Sequence, residues 1–146
     1  SVNLSGSSFS KTILSLKLKQ NAIKSQASPV NLFLSHDSNN GTFKWFMCLN
    51  PVTGSNLSFE DEQPNSILLA STSSVTILNK NLVLLSGYIS PNNRYVSITD
   101  ISNRFKILSD INNVSDVLSV GIEPLASNNN SATNFNCSVL VKEDIG

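Results

Sequence analysis

Hydrophobic and polar positions alternate with a period of two in several short segments of this chain, as expected for β-strands that bury one face. Residues 11–20 place three leucines on one face and lysines and serines on the other. Residues 135–141 alternate in the same way, with Phe135 and Cys137 on the apolar face. Each segment therefore predicts a strand with one face in a core and the other in solvent.

Residues 42–51 differ because both alternating faces are apolar, which is typical of a strand buried on both sides. One face carries Phe43, Trp45, Met47 and Leu49, and the other carries Phe46 and Cys48. Leaving those aromatic side chains in water would forfeit roughly 1.5–3 kcal/mol each. We therefore place this strand in the core. The Asn-Gly pair before it predicts a tight turn and an antiparallel hairpin with the alternating segment at residues 30–34.

Short apolar runs separated by Ser, Asn and Pro make up most of the remaining chain, and their spacing leaves no room for crossover helices. The runs cover residues 67–70, 75–78, 82–89, 95–101, 104–110 and 117–125. We expect residues 1–10 to be loose, residues 21–29 to be a polar connection, and single helical turns to begin near Ser58 and Ser115.

Nine or ten strands in a single domain of residues 1–146 favour an all-β fold. A two-sheet antiparallel sandwich with jelly-roll connections fits best. A β-trefoil is the alternative, weakened by the absence of a threefold sequence repeat.

The charge of the chain argues against nucleic acid as a partner, and its hydropathy argues against membrane insertion. Formal net charge is zero and 14% of residues are charged, so no overall positive field favours nucleic acid. No run of eighteen apolar residues occurs, so membrane insertion is not expected. Four lysines precede the first acidic residue, Asp37. These lysines either belong to the end of a basic arm that continues upstream of Ser1 or occupy solvent-facing positions of strands.

The cysteines Cys48 and Cys137 lack CxxC spacing, which excludes a thiol zinc site and a disulfide framework. We expect both as small buried apolar residues, with a bridge between two core strands as the alternative.

Catalysis by acid–base chemistry would rest on His36, the only histidine. Its default role is that of a polar residue at a strand end. A Ser-His-Asp triad, and with it a hydrolase, is the least favoured hypothesis because no G-x-S-x-G elbow is present. We expect a protein that is not an enzyme and needs no cofactor.

Two groups of residues are candidates for binding. Glu60, Asp61 and Glu62 form the acidic cluster of the chain, which predicts either a solvated loop or a calcium site at a subunit contact. Tyr88 and Tyr95 flank a Pro-Asn-Asn turn and are candidates for stacking against a sugar. No glycine-rich nucleotide motif occurs.

The run Arg104-Phe105-Lys106-Ile107-Leu108-Ser109-Asp110 resembles a strand of the single jelly-roll coat proteins of small icosahedral viruses. The polar, nearly uncharged chain also resembles the protruding domains of virus capsids and viral receptor-binding heads. The resemblance covers seven residues, and it implies a structural protein that forms homo-oligomers within the virion. The chain departs from those coat proteins because no arginine-rich arm precedes Lys11.

Our leading hypothesis is therefore a viral capsid or surface-projection domain that acts by self-assembly. The alternative is a carbohydrate- or receptor-binding module of an adhesin or virus attachment protein, outside the cell or at its surface, with a glycan or protein receptor.

Overall fold

The structure is a computed structural model that describes residues 10–20, 25–37, 42–61, 63, 65–90, 92, 94–99, 101, 105–110, 112, 114–124 and 134–144. Within these residues every regular element is a β-strand, and the predicted all-β class is confirmed. The strands are β1 (Lys11–Leu18), β2 (Gln26–His36), β3 (Phe43–Leu49), β4 (Val52–Thr53), β5 (Leu68–Ser71), β6 (Ile77–Asn79), β7 (Leu82–Ile89), β8 (Tyr95–Ile98), β9 (Ile107–Leu108), β10 (Val117–Pro124) and β11 (Phe135–Asp144). No helix in the described part of the chain is long and apolar enough to cross a membrane.

Two antiparallel sheets make the predicted sandwich. The first, sheet A, has the order β5-β1-β10-β3-β7. The second, sheet B, has the order β11-β2-β8, and β9 pairs with β2 beyond the end of β8. One core lies between the sheets because each sheet turns an apolar face to the other. Its buried members include Leu16, Leu18, Leu32, Leu34, Phe43, Trp45, Met47, Ile89, Leu118, Val120, Ile122 and Phe135.

The strand pairs are nested along the chain: β1 pairs with β10, β2 with β8 and β9, β3 with β7, and β4 with β6. A long hairpin rolled up on itself produces this nesting, which is the winding of a jelly roll. Strands β5 and β11 lie outside the nest, and each adds one edge strand to a sheet.

The β4–β6 pair departs from a regular jelly roll because it lies on the outer face of sheet A. Ile77 of β6 packs there against Phe46 and Cys48, on the side of β3 that faces away from sheet B. The chain must reach this face because β5 and β7 form opposite edges of sheet A, so residues 72–81 cross the sheet. The crossing explains why β3 is buried on both faces.

The residues predicted for the core lie in three places. Phe43, Trp45, Met47 and Phe135 are buried between the two sheets. Cys48 is buried beneath the β4–β6 pair. Cys137 is half-buried and packs against the main core.

The predicted hairpin between the second and third strands is wrong. β2 belongs to sheet B, whereas β3 lies in sheet A between β10 and β7. Alternation specifies which face of each strand is apolar but does not specify the neighbouring strand. The two strands bury their apolar faces against each other across the sandwich. The Asn-Gly turn itself lies outside the described residues.

The polar connection predicted for residues 21–29 ends earlier than expected, because β2 already begins at Gln26. Pro29 is part of this strand, opposite Val141 and beside the point where the β2–β11 register shifts. Proline is tolerated at such a bulge because the ladder of hydrogen bonds is interrupted there.

Both predicted helical turns are absent from the described residues. Glu60 instead forms a β-bridge to Ala70 through backbone hydrogen bonds of 2.8 and 3.0 Å. Ser115 forms a bridge to Ser109. These bridges outweigh a capping signal, which by itself contributes only about 1 kcal/mol.

Candidate functional site

An aromatic side chain, that of Phe33, is exposed to solvent on the outer face of sheet B. Leu32 and Leu34 of β2 point into the core, so Phe33 between them points outward. The strand register places Phe33 between Ser138 of β11 and Ser97 of β8. Phe33 is therefore at the middle strand of the face, and 45% of its surface is exposed.

Tyr95 is the diagonal neighbour of Phe33 on the same face. Its cross-strand partner is Ser35, two residues along β2 from Phe33. The two ring centroids lie 5.9 Å apart with an interplanar angle of 27°, which is an offset stacked arrangement. Because 64% of Tyr95 is exposed, the pair presents an apolar surface to solvent.

The positions around these two rings are uncharged, and all of them except Leu140 are polar. We call the set the Phe33 face, and its members are Asn31, Phe33, Ser35, Tyr95, Ser97, Asn136, Ser138 and Leu140. Charged residues follow at both ends of the face: Lys142 and Asp144 at the far end of β11, and Asp37 two residues beyond Ser35, where its carboxylate is held by Asn134. The face thus combines two aromatic rings with hydroxyl and amide groups.

Tyr88 does not share this surface with Tyr95. Its cross-strand partner is Lys44 of β3, and the neighbouring Ile89 points into the core. Tyr88 therefore lies on the outer face of sheet A. The chain passes from sheet A to sheet B between β7 and β8, so the two tyrosines that were predicted together lie on opposite sides of the sandwich.

β11 forms one edge of sheet B and is ten residues long. Within the described residues its backbone ladder is formed with β2 alone. Alternate residues of a strand direct their N–H and C=O groups to the side away from the partner. Among the described strands, the row of backbone donors and acceptors on the side of β11 away from β2 therefore has no ladder partner.

A groove of about 280 Å³ lies between the edge of sheet B at β11 and the edge of sheet A at β5. Glu143 closes part of it, since its Oε1 accepts hydrogen bonds from the Ser66 hydroxyl and, at 3.0 Å, from the Ile67 N–H. These bonds fix the end of β11 to the chain that enters β5. The groove is lined by Leu16, Gln63, Ser66, Leu68, Ala70, Val139, Leu140, Val141 and Glu143.

Two members of the predicted acidic cluster are described, and both have partners. Asp61 pairs with Lys19 at 2.8 Å, and the backbone of Glu60 is held in the bridge to Ala70. Glu62 lies outside the described residues. Across the described ranges no three His, Cys, Asp or Glu side chains come together as a metal site would require. Calcium binding at a subunit contact stays a prediction.

His36 is buried at the end of β2, in surroundings typical of a structural residue. Its Nε2 lies 2.9 Å from the carbonyl oxygen of Ser90, and its ring packs against Phe43 and Phe135. The carboxylate of the adjacent Asp37 accepts hydrogen bonds from the Asn134 N–H and side-chain amide at 2.8 and 3.1 Å. The backbone bond is the main reason that the pKa of Asp37 is lowered. We assign His36 a structural role.

Cys48 and Cys137 are both free thiols, so no disulfide bridge joins their two strands. Burial raises the pKa of Cys48 to about 11, although the charge of Lys80 acts in the opposite direction. Burial alone raises the pKa of Cys137 to about 12. Thiols with such values react poorly as nucleophiles at neutral pH.

The chain matches no protein-family model, no curated protein and no solved structure.

Two of these features, the exposed Phe33 and the edge position of β11, were not predicted from the sequence. Phe33 has a readable signal, because it is an aromatic residue between Asn31 and Ser35 on the polar face of an alternating segment. The edge position of β11 has no such signal, since alternation is the same in edge and central strands. In the resembling run at residues 104–110, Ile107 is buried and Leu108 is exposed, while Arg104 lies outside the described residues.

Proposed function

We propose that this chain is a structural domain that assembles with copies of itself, as jelly-roll coat and surface-projection domains of virus particles do. The nested winding of the strands is compatible with that class, and a fold alone does not assign a function. The observation that carries the proposal is the exposed edge of β11.

The sheet edges of this protein differ in how well they are protected against pairing. β5, β8 and β9 contain four, four and two residues, and short edge strands resist pairing with another chain. β7 is longer, but Leu84 is an extra residue in its register with β3 and interrupts the ladder between the two strands. Bulges of this kind protect an edge.

β11 has none of these protections over most of its length. The register shift in its pairing with β2 adds a residue to β2, at Val30, so β11 itself is continuous. Its first seven residues, from Phe135 to Val141, contain no charge, proline or glycine. A long uncharged edge of this kind is a template for another strand.

A second copy of β11 is the partner that this edge fits. An antiparallel pair related by a two-fold axis is self-complementary, because each strand supplies the same row of backbone groups to the other. Leu140, which is 58% exposed on β11, would lose solvent contact in such a pair. The result would be one continuous sheet that runs through both copies.

A two-fold contact closes after two copies, so a larger particle needs a second contact. β7 is the other long edge; its bulge at Leu84 disfavours strand pairing there, but its exposed Leu82 and Val83 would supply an apolar side-chain contact. Such a contact, added to the pairing of β11, would extend assembly beyond a dimer. With this assembly we propose a location in the virion, as for the coat and surface-projection domains of virus particles.

Light scattering over a concentration series tests the proposal. The expected result is a mass that rises with concentration from that of a monomer, 15.8 kDa, to at least twice that value. Leu140→Lys places a charge on the edge and should keep the chain monomeric at every concentration. Leu78→Lys is the matched control, because Leu78 is 67% exposed on β6, away from β11, and this variant should assemble like the original chain.

Two outcomes would overturn the proposal. One is a monomer mass at all concentrations for the unaltered chain. The other is assembly that Leu140→Lys leaves unchanged.

A further inference from the structure

We propose that the Phe33 face binds the pyranose ring of an uncharged saccharide. The saccharide would lie on the outer face of sheet B, whereas the proposed assembly uses the edge of that sheet at β11. Leu140 is the residue that the two surfaces share.

The two rings supply the apolar part of such a site. A pyranose has a C–H face that packs on aromatic rings, and the offset stacked pair of Phe33 and Tyr95, with centroids 5.9 Å apart, leaves much of both rings exposed for such packing. Phe33 lies on the middle strand of sheet B and Tyr95 on the edge strand β8, and each is held by its cross-strand neighbours on β2, β8 or β11. The platform is thus formed before any ligand arrives, which reduces the entropy cost of binding.

The surrounding side chains supply the polar part. Ser97 and Ser138 flank Phe33 as direct cross-strand partners, at a typical separation of about 4.5–5.5 Å between Cβ atoms. Asn31 and Ser35 precede and follow it along β2 at the same face. Hydroxyl and amide groups placed around an apolar centre suit a ring whose hydroxyl groups project from its rim.

The absence of charge on the Phe33 face selects the class of ligand. Recognition of a phosphate, sulfate or carboxylate group relies on Arg or Lys side chains or on helix N-termini. None of the eight residues of the face is charged. Uncharged oligosaccharides are therefore expected to bind in preference to sialylated or sulfated ones.

An array of immobilised oligosaccharides, with neutral, sialylated and sulfated members, tests this inference. Binding to neutral members is expected, and Phe33→Ala and Tyr95→Ala should each weaken it by about tenfold or more. Tyr95→Phe keeps the ring and should retain most of the binding. Tyr88→Ala is the matched control, since Tyr88 is 61% exposed on the opposite outer face, and it should bind like the unaltered chain.

Thermal unfolding of each variant separates loss of binding from loss of the fold, because all three substituted side chains are exposed. The inference is overturned if no neutral oligosaccharide binds, if charged members bind better, or if folded Phe33→Ala binds as well as the original chain. A loss in Tyr88→Ala equal to that in Phe33→Ala would also overturn it. None of these results affects the mass measurement that tests assembly.

Discussion

The indole ring of Trp45 lies directly against the backbone of Gly87. A Cβ atom built on Gly87 would stand 2.6 Å from Nε1 of Trp45 and 2.9 Å from its Cε2. The two residues are cross-strand partners in β3 and β7, and both face sheet B. The only tryptophan of the chain is thus accommodated in the core because its neighbour has no side chain.

Gly87→Ala should destabilise the fold, because the added methyl group must displace a buried indole ring. Overpacking of this kind costs typically about 1–3 kcal/mol. The free energy of unfolding can be measured with urea while the fluorescence of Trp45 reports the core. Gly54→Ala is the control, since the nearest atom to a Cβ there is 3.7 Å away, and its stability should change little. Equal stability of the two variants would contradict the close contact.

The apolar pattern of β3 shows what the sequence could predict. Trp45 and Phe46 lie on alternate faces of an apolar run, and both faces prove to be buried, one against sheet B and the other beneath Ile77. The pattern could not reveal which elements cover those faces, since the partners come from distant parts of the chain. The failed hairpin between β2 and β3 has the same cause.

For the candidate sites, too, the sequence indicated single residues but not their neighbours in space. Tyr95 was identified from its position beside a turn, and Tyr88 was grouped with it because the two are close in sequence. The crossing from sheet A to sheet B separates them in space. Phe33 replaces Tyr88 as the neighbour of Tyr95, and only the register of β2 and β8 makes this visible.

Glu123 of β10 joins the crossing segment, residues 72–81, to sheet A. Its Oε1 lies 3.0 Å from Lys80 Nζ and accepts a hydrogen bond of 2.7 Å from the Ser10 hydroxyl. Burial alone would raise the pKa of Glu123, but these hydrogen bonds and the charge of Lys80 together lower it below the ordinary value of 4.5. The stabilisation that Glu123 gives the fold is therefore complete above pH 4.5. It is lost as the pH falls through the lower pKa that Glu123 has in the folded state.

A double-mutant cycle with Lys80→Met and Glu123→Gln should detect this pair by its coupling energy at pH 7. The expected coupling is below about 1 kcal/mol, because both side chains are partly exposed. It should decline as the pH falls below 4.5 and Glu123 takes up a proton. The free energies come from urea unfolding at each pH. A coupling that is absent at pH 7, or that is unchanged in acid, would argue against the pair.

The two thiols should resist alkylation in the folded protein. At pH 8 a pKa of about 11 leaves roughly a thousandth of Cys48 as thiolate, and Cys137 has a still higher value. Treatment with iodoacetamide followed by mass spectrometry should show both unmodified without denaturant and both modified in urea. The cysteine introduced by Ser74→Cys, at an exposed position, should react in the folded state and provides the reference rate. Equally fast modification of Cys48 would show that it is not buried as described.

Amide hydrogen exchange of β11, resolved by residue with NMR and compared at low and high protein concentration, tests the proposed assembly most directly. Amides directed towards β2 should be protected at both concentrations. Every second amide between Phe135 and Asp144, directed away from β2, should exchange quickly in dilute solution and become protected when a second copy pairs with the edge. Exchange of those outward amides that is equally fast at both concentrations would contradict assembly through β11.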